Sequence, residues 1–504
     1  MNIARTLLVL APIVVGCGGG AVDAPPAAAP EAPRHTASAP LPSAATAGVT
    51  TAAPPAKPAP AVPATYEAED RQILEELVAT DTSHGNETKA LEPIAERYKR
   101  AGVPVQILES GPGRGNLIAR LKGEGKKKPI LLIAHIDVVP VEGQPWTVPA
   151  FTPTEKDGFL SGRGVNDDKA MAAAIVATTL EMARAKAPLS RDVIVALTAG
   201  EETGGMAGAR WLAEKHKDLI DAEVALNEGG ALRVDDAMTK VEQVSIGVSE
   251  KQFQSYRLIV RGNGGHSSVP PVENDPATVL ARALVKIGEH RFPARLLPEV
   301  KNVLSAEIAR AKPENVAALK HVVASAPKIA PQDDKVLSKE RIYNAQIRTT
   351  CVTTMLQGSP QDNVLPTTAE ATVNCRVLPG ETLADTQASL AKAMGNPAIE
   401  IVPGPSFGES PGSPADGEVF DAVKKVSGSM LGGPPVLASM VSGATDSRYL
   451  RAVGIRSYGI SPVAGSLREI MASHMAHGPD ERAPVKWIGE GAKFFRELVR
   501  TLVL

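Results

Sequence analysis

The sequence predicts an α/β fold interrupted by an inserted α+β domain, and three observations carry that prediction. Between about Tyr66 and Val244, short apolar runs alternate with helical stretches. From about Val248 to Val402 the pattern changes to half-buried alternating strands accompanied by two helical segments. From about Phe407 the α/β character returns, so the C-terminal segment is expected to complete the first domain.

The chain opens MNIARTLLVLAPIVVGCGGG, with Arg5 ahead of an apolar run of roughly ten residues, the layout of a secretory signal and too short for a permanent span. The run ends Val14-Val15-Gly16-Cys17, which resembles a bacterial lipobox. That resemblance implies acylation of Cys17 and export to the periplasmic or outer-membrane face. An ordinary signal peptide with an incidental cysteine is the bland alternative. Residues 18–65 are almost wholly Ala, Pro, Ser, Thr and Gly, too poor in apolar surface to offset ordering entropy, and read as a disordered tether.

In the first part, 66–245, the buried strands are expected at Ile130 to Ala134, Val193 to Thr198 and Val224 to Leu226. Helices fit at Asp70 to Val78, Glu92 to Ala101 and the Ala-rich stretch Lys169 to Ala185. In the inserted part, 246–405, the strands begin Tyr256 to Val260 and end with Ala371 to Val377. Helices near Pro276 to His290 and Thr382 to Met394 complete a β-α-β-β-α-β unit. The remainder, 406–504, ends in a helix near Val485 to Leu502.

A length of 504 residues with 43% apolar content supports two packed domains. Lys plus Arg total 54 against 56 acids, a net charge of −2 with no basic run beyond Lys126 to Lys128, which argues against a nucleic-acid partner. Beyond Cys17 there are only Cys351 and Cys375. They admit either a bridge between adjacent strands or two buried thiols.

The chemistry gathers at strand ends. The first buried strand runs into His135-Ile136-Asp137, the second into Glu201-Glu202, the third into Asn227-Glu228. In open α/β sheets functional groups collect beyond the carboxyl ends of strands. Paired acids there are costly to desolvate without a cation, although for either site taken alone a solvated loop is the favoured reading. Asp167 and Asp168, at the start of the Ala-rich helix, read alone as capping residues.

Taken in order, these stretches resemble the zinc exopeptidase family of aminoacylase, carboxypeptidase S, acetylornithine deacetylase and succinyl-diaminopimelate desuccinylase. The resemblance includes Trp146 to Phe151, Gly162 to Lys169, Leu197 to Glu202, Asn227-Glu228-Gly229-Gly230 and Gly264-Gly265-His266-Ser267-Ser268. It continues through Arg348-Thr349-Thr350, Asn363 to Pro366, Asn374 to Pro379, Thr445 to Arg448 and His477 to Glu481. It implies a zinc-exopeptidase-like catalytic domain with a ferredoxin-like lid and dimerisation domain.

Carried over by position, the resemblance makes His135, Asp167 and Glu228 the ligands of one zinc ion and Asp167, Glu202 and His477 those of a second, with Asp167 bridging. Asp137 would orient His135, and Glu201 would be the general base. Co²⁺ or Mn²⁺ would suit the same donors as Zn²⁺. His474 competes for the second histidine role, but His477 has the family's spacing to Glu481. Asn227 is a poor ligand, which favours Glu228.

In the lid, the resemblance implies that His266 reaches a partner subunit's substrate across a homodimer, and that Asn363 and Arg376 contact substrate. Arg448 is a second candidate for a substrate carboxylate. The long insertion from about Arg291 to Ala345 looks most like the carboxypeptidase S branch. The expected reaction is hydrolysis of the amide bond of small peptides or N-acyl amino acids with a free carboxylate. Two other readings compete: a catalytically dead lipoprotein that binds peptides or partners, and an aminopeptidase of related fold.

Overall fold

The computed structural model describes residues 65–405, 410–466 and 476–504. Cys17, the tether through Ala64 and His474 lie outside the described residues.

The first part runs α1 (Tyr66–Val78), α2 (Glu87–Arg100), β1 (Val105–Glu109), β2 (Gly115–Leu121), β3 (Ile130–His135), β4 (Thr154–Lys156), β5 (Phe159–Ser161) and α3 (Ala170–Arg184). It continues β6 (Val193–Thr198), α4 (Ala209–Lys215), α5 (Lys217–Ile220), β7 (Val224–Asn227), β8 (Ala231–Val234) and β9 (Val241–Glu250). The inserted part holds β10 (Gln252–Arg261), β11 (Gly265–His266), α6 (Pro276–Glu289), α7 (Pro298–Glu307), α8 (Pro313–Ser325), α9 (Pro331–Leu337) and α10 (Arg341–Ile347). Then come β12 (Thr350–Gln357), β13 (Val364–Leu365), β14 (Thr368–Val377), α11 (Leu383–Met394) and β15 (Glu400–Pro403). The last part is α12 (Glu418–Met430), β16 (Val436–Val441), α13 (Ser447–Ala452), β17 (Arg456–Gly459), β18 (Ala464–Ser466), β19 (Arg482–Pro484) and α14 (Val485–Val503).

The large sheet has the order β1-β2-β6-β3-β7-β17-β9-β8-β18, with β16 also paired to β9. β3 lies parallel to β6 and β7, and β17 continues the parallel run beyond β7. Every residue of β3 is buried because both faces are covered. Ile130, Leu132 and Ala134 face a core shared with Leu77 of α1, Ile175 of α3 and Phe495 of α14. Leu131 and Ile133 face the opposite layer, with Leu212 of α4 and Leu450 of α13. Alternate side chains thus serve two cores, which is why the strand reads as an unbroken apolar run.

The inserted sheet is antiparallel, ordered β12-β14-β10-β15. With α6 and α11 packed on it through Leu280, Ile287 and Leu390, it forms the ferredoxin-like unit expected from the pattern. The crossing between the sheets falls at Lys251, because β9 stays in the large sheet through Glu250 and β10 joins the second sheet from Gln252. The expected boundary between 245 and 246 therefore falls within β9. Helices α7 to α10 do not share the ferredoxin-like core. Leu296, Val300, Leu304 and Leu319 pack together with Met440 of β16, so this insertion rests on the large sheet.

Cys351 and Cys375 face each other across β12 and β14 and are joined by a disulfide, which resolves the alternative the sequence left open. Asp167 and Asp168 are not helix caps. Regular helix begins only at Ala170, and both acids sit in a wide turn over Val165–Lys169 with non-helical backbone at φ −132° and −131°.

Candidate metal centre

The carboxyl ends of β6, β3 and β7, adjacent in the sheet, deliver Glu201-Glu202, His135 and Glu228 to one place. The turn before α3 adds Asp167, and the segment leading to β19 adds His477. His135 Nε2 lies 3.0 Å from Asp167 Oδ1, while His477 Nε2 lies 3.1 Å from Asp167 Oδ2 and 3.1 Å from Glu202 Oε2. The candidate ligand atoms of His135, Asp167 and Glu228 all lie within 4.8 Å of one another, and so do those of Asp167, Glu202 and His477. Asp167 belongs to both groups.

The donor set fits a pair of divalent cations. His135 Nδ1 is 3.0 Å from the Asp137 carbonyl oxygen, an acceptor only, so that nitrogen carries the proton and Nε2 faces the cluster. Glu202 Oε1 is buried with no hydrogen-bond partner among the described residues. Burial, reinforced by neighbouring acids, holds the Glu201 and Glu228 carboxyls well above the usual range. Burial works against a charge on His135, yet hydrogen bonds to Asp137 and Asp167 carry it well above an ordinary imidazole. Hydrogen bonds to Asp167 and Glu202 push His477 up to about 10. Carboxyls held up by burial and neighbouring acids, beside imidazoles held up by carboxylate partners, describe a site whose concentrated negative charge a divalent cation would offset.

Two carboxylates outside the ligand groups shape the site. Asp137 Oδ1 and Oδ2 accept the backbone N–H groups of Glu201 and Glu202, at 3.0 and 3.1 Å. Its Oδ1 is 3.5 Å from His135 Nδ1, farther than its own carbonyl oxygen. Asp137 thus faces the His135 imidazole with both its carbonyl and its carboxylate, and the same carboxylate holds the Glu201-Glu202 turn. Glu481, noted in the sequence only for its spacing from His477, accepts from Gly164 N, Asn166 N and Asp167 N at 3.1, 2.8 and 3.3 Å. It also pairs with buried Arg163 at 2.8 Å. Its only sequence signal was an acid four residues after a histidine. Asp446 was likewise unassigned: it accepts from Thr198 Oγ1 at 3.2 Å, and burial pushes its carboxyl up to about 6.

Glu201 lies beside the cluster but in neither ligand group. Arg376, on β14, stacks on Phe253 at 4.8 Å, and burial and the charge of Arg448 hold its pKa down while Glu201 acts the other way. An arginine from each domain is thus brought within electrostatic reach of the other, and Arg376 within reach of Glu201. His266 and Asn363 come together elsewhere, on the β11–β13 ribbon, where Ser267 N donates to the Asn363 carbonyl at 3.0 Å. Both side chains are exposed, and His266 Nδ1 accepts from Ser268 N at 3.1 Å.

A histidine and carboxylate cluster sharing one bridging aspartate, at the ends of parallel strands and beside a ferredoxin-like insertion, defines a metal-dependent hydrolase of amide C–N bonds. The family model described as Peptidase family M20/M25/M40 matches residues 131–501, and the chain belongs to that family. It is 28% identical over 378 residues to the N-fatty-acyl-amino acid synthase/hydrolase PM20D1 of Xenopus tropicalis, covering 74% of this chain and 72% of that relative. It is 27% identical over 393 residues to the probable carboxypeptidase S-like 2 of Dictyostelium discoideum, covering 76% and 74%. Its fold is similar to that of the M20 family metallo-carboxypeptidase Sso-CP2 from Sulfolobus solfataricus, with a TM-score of 0.64, 20% identity and coverage of 86% of this chain and 98% of that one.

Proposed function

We propose that the protein is a two-zinc amidohydrolase that cleaves small peptides or N-acyl amino acids bearing a free carboxylate. The observation that carries this reading is Asp167, whose two oxygens each face one imidazole, His135 and His477, with Glu228 and Glu202 completing two donor groups. Zinc accepts this mix of imidazole and carboxylate, and Co²⁺ or Mn²⁺ would be held by the same atoms.

The chemistry supplied by the bound pair of cations is activation of a water and polarisation of the scissile carbonyl. Glu201, close to but outside the ligand groups, takes the water's proton and returns it to the departing nitrogen. Arg376 and Arg448 grip the substrate carboxylate from opposite domains. Asn363 and His266 approach from the lid of a second subunit. The edge strand β12 supports such pairing, since Val352, Met355 and Leu356 are 60%, 56% and 67% exposed on it.

Elemental analysis of protein purified without chelator should give close to two zinc equivalents per chain, with hydrolysis of dipeptides or N-acyl amino acids abolished by chelation. Glu201→Gln should keep its metal and lose about a hundredfold or more in turnover. Full activity after rigorous metal removal would refute the reading. The lipid anchor at Cys17 belongs to the same proposal: Cys17→Ala protein should leave the membrane fraction, and unchanged membrane association would count against acylation.

A further inference from the structure

The chain passes from the large sheet into the inserted one with a single residue between strands: β9 ends at Glu250 and β10 begins at Gln252. The Glu250 side chain is buried and reaches the C-terminal part of the chain. Its Oε2 accepts from Thr445 N at 2.7 Å and from Thr445 Oγ1 at 2.8 Å, and its Oε1 accepts from Arg451 Nη1 at 3.1 Å. Thr445 stands three residues before Arg448 and Arg451 three residues after it, so one carboxylate holds α13 on both sides of that arginine. Thr445 itself accepts Ser447 N on its hydroxyl at 3.1 Å and Arg448 N on its carbonyl at 3.4 Å.

The same crossing reaches Arg376. Phe253, three residues beyond Glu250, is the direct partner of Arg376 in the pairing of β10 with β14, and the guanidinium lies 4.8 Å over its ring. On the other side of β14, Thr350 stands opposite Arg376, and its Oγ1 accepts from buried Lys251 Nζ at 3.4 Å. The backbone N–H of Lys251 donates to the Val441 carbonyl at 3.0 Å, which ties the crossing to the end of β16. Three residues of extended chain span at most about 11 Å, so little slack separates the Glu250 and Phe253 anchors.

We infer that Glu250 and Phe253 are positioning residues that together set the separation of Arg448 and Arg376. Neither belongs to the metal-donor groups. The inference rests on the reading in which these two arginines hold the substrate carboxylate, and it assigns selection for that carboxylate to the crossing between the domains. The competing account is that the Glu250–Arg451 ion pair only secures α13 to β9.

The test measures hydrolysis of N-acetyl-leucine and alanyl-leucine by the metal-loaded protein, each substrate supplied as the free acid and as the carboxamide. The parent should prefer the free acids. Glu250→Gln, Thr445→Val and Phe253→Leu should each lower kcat/KM for the free acids about tenfold, the scale of one charge-assisted hydrogen bond, chiefly through KM. The carboxamide rates and the zinc content should hold, and Thr445→Ser, which keeps the hydroxyl, should behave as the parent. Equal losses on acid and carboxamide, or a preference unchanged in all three variants, overturn the inference. A parent without preference for the acids removes both the carboxylate reading and the inference built on it. Crystal structures of the metal-loaded parent and Thr445→Val give a reading that needs no turnover. Displacement of Arg448 relative to Arg376 supports the inference even in a protein that hydrolyses no amide, where the amidohydrolase reading alone would fail; an unchanged separation overturns it.

Discussion

The Asp137 carboxylate accepts the backbone N–H of Glu201 at 3.0 Å, and its second oxygen accepts that of Glu202 at 3.1 Å. One side chain on the β3 loop thereby sets the position of the turn after β6, which carries both a candidate ligand and the candidate base. In Asp137→Asn one of those N–H groups would face the amide nitrogen instead of an oxygen. The turn should shift, with a loss of about 10- to 100-fold in metal affinity or activity, as is usual for groups that support ligands. Anomalous-scattering occupancies check the mechanism. The deficit should fall on the position served by Glu202 and His477; a deficit confined to the one served by Glu228 would return Asp137 to the simple role of orienting His135.

Glu481 leads to a second expectation. It accepts from three backbone N–H groups of the turn that carries Asp167 and pairs with Arg163, both side chains being 1% exposed. Removing one partner of such a pair leaves a buried charge, at a cost of about 3 to 5 kcal/mol. Glu481→Gln should therefore unfold at lower denaturant concentration than the parent. The apolar double variant Arg163→Met with Glu481→Met should recover much of that stability yet still bind metal poorly, because the Asp167 turn would lack its acceptor. Equal recovery of stability and metal binding would show that Glu481 serves packing alone.

The parts of this arrangement visible in the sequence are those with a single physical cause. Ile130 to Ala134 and Val193 to Thr198 read as strands because both faces are buried and no polar side chain interrupts the first at all or the second before Thr198. The passage from β9 to β10 at Lys251 leaves no break in apolar pattern, since β9 itself buries polar residues. Gln243 is satisfied by Ser245 at 2.9 Å, and Glu250 by Thr445 and Arg451, partners that come from its own strand or from a distant segment. The ligands were legible only as an ordered set resembling a family, since each acid alone passes for a loop or a cap. The clamps at Asp137 and Glu481 act on backbone N–H groups, which leave no mark on residue identity.

The disulfide gives a third expectation. Cys351 and Cys375 are directly opposed on β12 and β14 with 24 residues of sequence separation. Closing a loop of that length removes denatured-state entropy worth about 3 kcal/mol. Purified, unfolded and unreduced protein should show no free thiol at either position. Replacing both by alanine should lower the unfolding midpoint while leaving zinc content unchanged, since the bridge lies in the inserted sheet and the ligands in the large one. An unchanged midpoint would mean that strand pairing alone holds β12.

The last expectation joins the inserted domain to the chemistry. His266 sits on an exposed ribbon whose Nδ1 is engaged by Ser268, and among the described residues it has no hydrogen bond to any candidate metal ligand of its own chain. If two chains pair along β12, the ribbon of each can serve the other's site. A donor aimed at a developing oxyanion is worth about 10² to 10³ in turnover, so His266→Ala should lose activity on that scale and keep its metal. Glu201→Gln should be comparably inactive. A hybrid dimer of the two variants would contain one site with its own Glu201 and a borrowed His266, and mixing the two inactive proteins under conditions of subunit exchange should restore part of the parental rate. Mixtures in which hybrid dimers form, as seen by native mass spectrometry with one subunit mass-tagged, but no activity returns would confine His266 to capping its own turn.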